Sequence, residues 1–415
     1  PDGIDYTIFK LCQEEAAEYI SLIMNICLIT GRVPFGWKKS IMRLIYKKGD
    51  SMLPCNWRPI SISNALYRIV SCVWARVINS FNSKLHIFSP SQRGFITGIN
   101  GCSDNTSIVT ELFYDARRHN RSIIITALDF KNAFGSIPHD MITDSLEQKG
   151  FPDEFVKIIR NLYSGSTTSI CTNSYNSPDI DIKTGTKQGC PVSPLLFNLC
   201  LEGLFKAVHT LNARDGYSII HNGTKSTFNI LAYADDILLI SDSVSGMRNL
   251  LTTCQLFCSY SLMELAPAKC CSIGYLWINR NRVGLKSGFQ LSGEQIPFLN
   301  LEESIKYLGA PIAARKVTKL RGSSSVVDKF IINTQRIFNS SLLMVQKLHA
   351  LRTFIIPTLD FTLLNGQLRV KQLEKLDNFI GNAINKLFKG TIPNAVKHAS
   401  WKDGGLSIPS ITEKA

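Results

Sequence analysis

Two adjacent carboxylates, Asp235 and Asp236, stand between two short apolar runs, Ile230-Leu-Ala-Tyr233 and Ile237-Leu-Leu-Ile240. Each run has the length and composition of a buried strand, and together they read as a hairpin with the acids at its tip. Asn-Gly or Asp-Gly would make such a turn more readily. Carboxylates held beside an apolar core are costly unless a cation meets them. Magnesium takes oxygen ligands and often shares one or two carboxylates with substrate phosphates, so it suits this position. An exposed Asp-Asp turn is the plainer reading of the same dipeptide.

A second β-branched run, Ser122 to Leu128, ends on Asp129 and continues into Lys131-Asn-Ala-Phe134-Gly135. A strand-end aspartate can simply cap a helix. Set beside Asp235 and Asp236, it makes three carboxylates at one sheet edge. Such a set can hold two magnesium ions roughly 3.5–4 Å apart for in-line phosphoryl transfer. Between the two strands lies Lys183-Thr-Gly185-Thr-Lys187-Gln188-Gly189-Cys190-Pro191-Val-Ser193-Pro194. Gly189 permits close backbone approach, Ser193 reads as a helix cap, and Pro194 opens a helix running to about Leu211. The amide of Gln188 could then lie against a base pair.

The elements around these residues follow from pattern. Residues 1–30 read as a helix with an apolar stripe of Ile20, Ile23, Met24 and Cys27. Trp37 to Lys48 is basic and strand-like, Gly49-Asp50 turns, and Asn56-Trp57-Arg58-Pro59-Ile60-Ser61-Ile62 returns. Cations on such a hairpin could pinch a triphosphate, or lysines could merely blunt a sheet edge. Asn64 to Phe81 reads as an amphipathic helix with Leu66, Ile69, Val70, Val73 and Val77 on its buried face. Ser91-Gln92-Arg93-Gly94-Phe95 reads as a loop, and Val244 to Leu262 as another helix.

The whole chain has 415 residues, 45% hydrophobic and 19% charged, which describes a globular protein of two or three domains. Its net charge of +14 favours an acidic polymer as partner. From Lys306 to Lys402, sixteen Lys and Arg face four acids, an excess of 12. That asymmetry favours a phosphate track over a merely solvated face. No run of 18 apolar residues suggests a membrane span, and no secretory signal opens the chain. The 12 cysteines are scattered, as in a reducing compartment. Cys254, Cys258, Cys270 and Cys271 lack the paired spacing of a zinc site, and zinc is not expected there.

Tyr233-Ala-Asp-Asp236, Leu128-Asp129-Phe130 with Ala133-Phe134, and Gln188-Gly189 with Ser193-Pro194-Leu-Leu-Phe-Asn198 resemble the palm motifs of reverse transcriptases. Lys47-Lys48-Gly49-Asp50, Asn56-Trp-Arg58-Pro-Ile-Ser61 and Gln92-Arg-Gly-Phe95 are similar to the fingers of non-LTR retrotransposon enzymes. Leu265-Ala-Pro-Ala-Lys269-Cys270 and Tyr307-Leu-Gly309 resemble the two motifs after the palm. Ile356-Pro357, Gly366, Leu376-Asp377, His398-Ala399 and Asp403-Gly-Gly-Leu406 resemble the thumb and following segment of site-specific elements encoding a restriction-like endonuclease.

The resemblance covers essentially the whole chain and implies an α+β right-hand polymerase. Fingers would occupy residues 1–120, a palm with an antiparallel sheet 121–310, and a helical thumb 311–415. The thumb helices would run Val326–Lys347, Leu348–Phe361 and Val370–Phe388. Asp129, Asp235 and Asp236 match the catalytic triad that binds two Mg2+. Phe134 matches the aromatic gate against a ribose 2′-hydroxyl. Arg58 and Lys47 match cations on the incoming triphosphate, Gln188 the glutamine near the nucleotide, and Lys269 the lysine that protonates pyrophosphate. The implied partners are template RNA, a DNA primer and deoxynucleoside triphosphates, in the nucleus with a cytoplasmic phase for RNA assembly.

Gly135 departs from the pattern, which has Asp after the gate. That leaves room for a catalytically silent RNA-binding scaffold of the same fold; a group II intron maturase is disfavoured by the Gly-Gly-Leu tail. The ends lack Cys/His clusters, so the chain resembles the polymerase core of a longer polyprotein.

Overall fold

The computed structural model describes residues 3–172, 175–285, 288–314, 321–364 and 368–414. Gly366 of the tail motifs, and Arg315, Lys316 and Lys319 of the basic stretch, lie outside them. The chain divides into two compact units, residues 1–105 with 112–299, and residues 106–111 with 300–415.

In the first unit the helix Gln13–Thr30 buries Cys27, with Ile20, Ile23 and Met24 packed partly on the core, and stops at Gly31 in the left-handed region. The short helix Phe35–Lys38 buries Trp37, so the strand begins later than its basic pattern suggests. Strands β1 (Lys39–Tyr46) and β2 (Trp57–Ile62) pair antiparallel, with Ile45 opposite Arg58. Asn64 caps the helix Ala65–Leu85, its side chain accepting from Tyr67 N. The helix buries Ala65, Tyr67, Val70, Ser71, Trp74 and Ile78. Of the expected stripe Val70 is buried and Leu66 packs partly on the core, Ile69 and Val73 are half-buried, and Val77 is exposed. The reason is aromatic: Trp37, Tyr67, Trp74 and Phe155 pack edge to face or tilted at 5.8–6.4 Å, and this cluster sets the helix's rotation.

Strand β3 (Ile123–Leu128) follows, then β4 (Thr167–Ile170), which pairs parallel to β1, and β5 (Ile180–Asp181). Strands β6 (Tyr217–His221) and β7 (Thr224–Phe228) form a separate hairpin. Strands β8 (Ile230–Tyr233), β9 (Asp236–Ser241), β10 (Cys271–Ile278) and β11 (Asn281–Gly284) complete a five-stranded antiparallel sheet, in the order β11-β10-β3-β9-β8. Ile123, Ile124 and Ile125 are fully buried, as expected of a central strand covered on both faces. The helices Ser193–Leu211 and Val244–Ser261 pack against each other, and the second also packs on β9. This arrangement leaves the strand ends carrying the acids as an edge of the core.

In the second unit, Ser304–Tyr307 and Ala310–Ala313 form a hairpin. Leu308 and Gly309 both have positive φ, 47° and 86°, as a two-residue turn of the primed type requires. A helix Arg321–Phe338 precedes Met344–Ala350, so the expected Val326–Lys347 helix is broken at 339–343. Ser340 explains the break: its hydroxyl donates to Ile337 O and accepts from Leu342 N, an alternative to continuing the helix. The run Leu351–Ile355 is π-helical, Ile356–Leu359 is 3₁₀ and Asp360–Leu364 is α-helical. Helix Val370–Leu387 buries Leu373, Leu376, Ile380 and Ile384. Asp377 on it accepts from Ile411 N, Thr412 N and the hydroxyls of Ser410 and Thr412, pinning the last residues. No helix among the described residues is long and apolar enough to cross a membrane.

Candidate active site

The β3–β9 pairing puts Leu128 opposite Ile237. Carried one residue further, the same register aligns Asp129 with Asp236. The β8–β9 hairpin closes with Tyr233 opposite Asp236, leaving Ala234 and Asp235 as its turn. The three carboxylates therefore meet because a buried central strand and its neighbour end together. Asp129 is also fixed from the other side. Its N–H donates to Cys270 Sγ at 3.4 Å, its carbonyl accepts from Ala266 N at 2.8 Å, and Lys269 Nζ lies 3.8 Å from Oδ1. The Leu265–Cys270 motif thus runs alongside β3's end.

Burial raises the Asp235 carboxyl above its usual range, Asp129 adds to the rise, and Arg58 and Lys47 oppose it. Burial, then Asp235 and Asp129, push Asp236 up to about 6. Two of the three acids are therefore held where a proton or another cation is favoured. Among the described residues no three Asp, Glu, His or Cys side chains stand at metal-holding spacing, so the triad is gathered but not closed. Its chemistry nonetheless fits a hard divalent ion: carboxylate oxygens only, mutually repelling, partly desolvated.

Arg58 and Lys47 are exposed on the β1–β2 hairpin. The hairpin's tip is tied by Lys47 N to Asn56 O at 2.9 Å, Asn56 Nδ2 to Asp50 O at 2.8 Å, and Trp57 Nε1 to Ser51 O at 2.9 Å. Gln188 joins this hairpin, its carbonyl accepting from Ser61 N at 2.7 Å. Its Oε1 is buried with no hydrogen-bond partner among the described residues. Gly189 is required at that junction: φ is 116°, and a Cβ would stand 2.8 Å from Ser61 O.

Phe134 is half-buried, its ring stacked on Phe197 at 4.3 Å and 24°. Its carbonyl accepts from Thr186 N at 2.7 Å, which binds the gate segment to the Gln188 loop. Gly135 is built into the same junction. A Cβ there would lie 2.3 Å from Asn132 Nδ2, and one on Gly185 would lie 2.5 Å from Gly135 Cα. The missing Asp is thus matched by its surroundings.

Four residues escaped sequence reading as parts of the site. Gln92, 1% exposed, bonds the Ala234 turn. Asn198 Nδ2 donates to Gly94 O at 2.7 Å. Lys187, 3% exposed, donates to Trp37 O at 2.8 Å and Lys38 O at 3.0 Å, and burial lowers its ammonium to about 8. Cys270 has no role on sequence, either in the Leu265–Cys270 motif or as a zinc ligand, yet its Sγ accepts from Asp129 N. For Gln92 and Lys187 the available signal was a polar side chain two residues before a glycine in a loop motif; Asn198 and Cys270 carried none. Ser193, expected as the cap, is instead the first helical residue; Val192 takes the cap position after a tight Cys190-Pro191 turn.

A sheet edge bearing three acids, faced by a basic hairpin and a glutamine loop, defines a nucleotidyl-transferring polymerase palm. The chain belongs to the reverse transcriptase (RNA-dependent DNA polymerase) family, whose pattern matches residues 45–312. Its fold class is accordingly the α+β right-hand polymerase, and the family's chemistry uses divalent metal. The Pol polyprotein of the type-2 retrotransposable element R2DM of Drosophila melanogaster is 30% identical over 99% of this chain and 38% of its own length. That of the type-1 element R2 of Nasonia vitripennis is 26% identical over 100% of this chain and 39% of its own length. The chain thus spans about two fifths of these relatives. Apo telomerase from Candida Tropicalis is similar at 12% identity and a TM-score of 0.45, over 86% of this chain and 62% of that one.

Proposed function

We propose that this chain is the RNA-directed DNA polymerase of a non-LTR retrotransposon, adding deoxynucleotides to a DNA 3′-hydroxyl during target-primed reverse transcription. The observation that carries the reading is the meeting of Asp129, Asp235 and Asp236 within the field of Arg58 and Lys47. R2 polyproteins among its relatives support the element class.

Asp129, Asp235 and Asp236 would hold magnesium, which when bound supplies charge to the attacking hydroxyl and the departing pyrophosphate. Arg58 and Lys47 bind the triphosphate. The orphaned Gln188 Oε1 accepts from the nucleotide or its base pair, which completes its hydrogen bonding. Phe134, braced by Phe197, excludes a 2′-hydroxyl by volume. Lys269 holds a proton on Nζ beside Asp129 and delivers it to pyrophosphate. Fingers (1–120), palm (121–310) and thumb (311–415) divide the work, the thumb's cations gripping the RNA–DNA duplex by shape and phosphate.

Primer extension on an RNA template tests the reading. Asp235→Asn removes one ligand charge and should abolish extension in magnesium while RNA–DNA binding persists. Comparable extension by the two proteins would sink it.

A further inference from the structure

We infer that Gln92 is a positioning residue for Asp235, acting through the backbone of Ala234; the inference rests on the catalytic reading of the three acids. Ala234 opens the two-residue turn and has φ 53°, a left-handed conformation that disfavours a residue with a Cβ. The turn is held from outside the hairpin. Gln92 Oε1 accepts from Ala234 N at 2.8 Å and from Gly94 N at 2.9 Å, and Nε2 donates to Ala234 O at 3.3 Å. Both backbone polar groups of Ala234 therefore end on one buried amide.

The loop carrying Gln92 is itself fixed. It lies along β8, with Ala232 N donating to Ser91 O at 2.8 Å and Arg93 N to Ala232 O at 2.9 Å. Asn198 holds Gly94 O from the helix that follows the Gln188 loop. Gly94 must lack a side chain, because a Cβ would lie 2.5 Å from Ala234 N. An unbroken chain of bonds thus runs from Asn198 through Gly94 and Gln92 to the residue before Asp235. A side chain with both a donor and an acceptor is required at 92, and glutamine supplies them at the needed reach.

The test uses the 415-residue chain with Gln92→Met, which keeps the volume and removes the bonds, and Gln92→Glu, which keeps the acceptor and loses the donor. Displacing a reacting group by about 1 Å costs on the order of 100-fold, so Gln92→Met should lower kcat by about that factor. Nucleotide KM and RNA–DNA affinity should stay at the parent's values, with Gln92→Glu intermediate. Glycine accepts positive φ freely, so adding Ala234→Gly to Gln92→Met should recover part of kcat. Amide exchange should quicken at Gly94 and in the peptide 230–240, the segments Gln92 bonds, and not elsewhere. An unchanged kcat, or a parallel fall of kcat, affinity and protection throughout the unit, would overturn the inference. If Gln92→Met does not fold, Gln92→Glu with and without Ala234→Gly decides by the same readouts. If the parent itself fails to extend primers, the catalytic reading falls, and exchange at 230–240 still decides what Gln92 holds.

Discussion

Replacing Asp236 with Asn should make the metal-free protein more stable while ending its chemistry. Burial, Asp235 and Asp129 raise this carboxyl from 3.8 to about 6. A proton bound that much more tightly in the folded chain means a penalty of about 3 kcal/mol for the ionised group at neutral pH. The side chain remains partly open to solvent at the start of β9, so solvent screening reduces the figure to about 1 kcal/mol. The folded state binds the proton more tightly, so the penalty is absent below pH 3.8, grows up to about 6 and is constant above it. Asn carries no charge at any of these pH values and escapes the penalty. With a chelator present at pH 7.5, the first unit of the Asn variant should melt about 2 °C above the parent. The two should converge near pH 4, and magnesium should narrow the gap at pH 7.5 by stabilising only the parent. An Asn variant no more stable than the parent at pH 7.5, with the same offset at pH 4, would refute the view that the acids repel one another.

Phe134→Val should weaken the preference for deoxynucleotides over ribonucleotides by roughly tenfold or more, as competitive incorporation would show; an unchanged ratio would remove the ring from this role. Gly135→Asp should destabilise the first unit by about 1–3 kcal/mol in denaturant titrations through its clash with Asn132. Adding Asn132→Gly, at a position with φ 48°, should restore most of that loss. Neutralising Lys371, Lys375 and Lys386 should flatten the fall of log affinity for RNA–DNA with log salt, about 0.7–0.9 per phosphate contact. Product length per binding event should shorten while single-nucleotide addition at saturating duplex persists; a parental slope and length would mark these lysines as a solvated face.

The acidic hairpin and the strand before Asp129 were legible because each pairs a short apolar run with an acid at its end, a local pattern that burial enforces. The second unit's helices were legible only in outline. Ser340 breaks one of them through its own hydroxyl, which apolar periodicity does not register. The rotation of Ala65–Leu85 depends on Trp37 and Phe155 from other segments. The supports of the site were hidden for a related reason. Gln92 is 142 residues from Ala234, and Lys187 is 150 from Trp37. No window along the chain contains both ends of such a bond. The tail motifs show the same limit: Gly405 is needed because a Cβ would meet Ala399 O at 2.2 Å, and His398 bonds Ile408 O at 2.7 Å. These residues make a folded corner whose purpose is invisible until the chain has turned.

The parallel pairing of β1 with β4 has a consequence for motion. From Lys39 to Met42 the basic hairpin is laced into a second strand, and Lys187 and Gln188 bond its start and its returning strand. Its root therefore cannot swing as a lever about a hinge. Beyond Met42, β1 pairs among the described residues only with β2, and from Lys47 to Asn56 the described bonds lie within the hairpin itself. Any bending of this arm is confined to the part beyond Met42 and its partner Ser61, a flexing fingertip on a stiff knuckle. Such a movement is short, and its rate is set by the loop's own bonds.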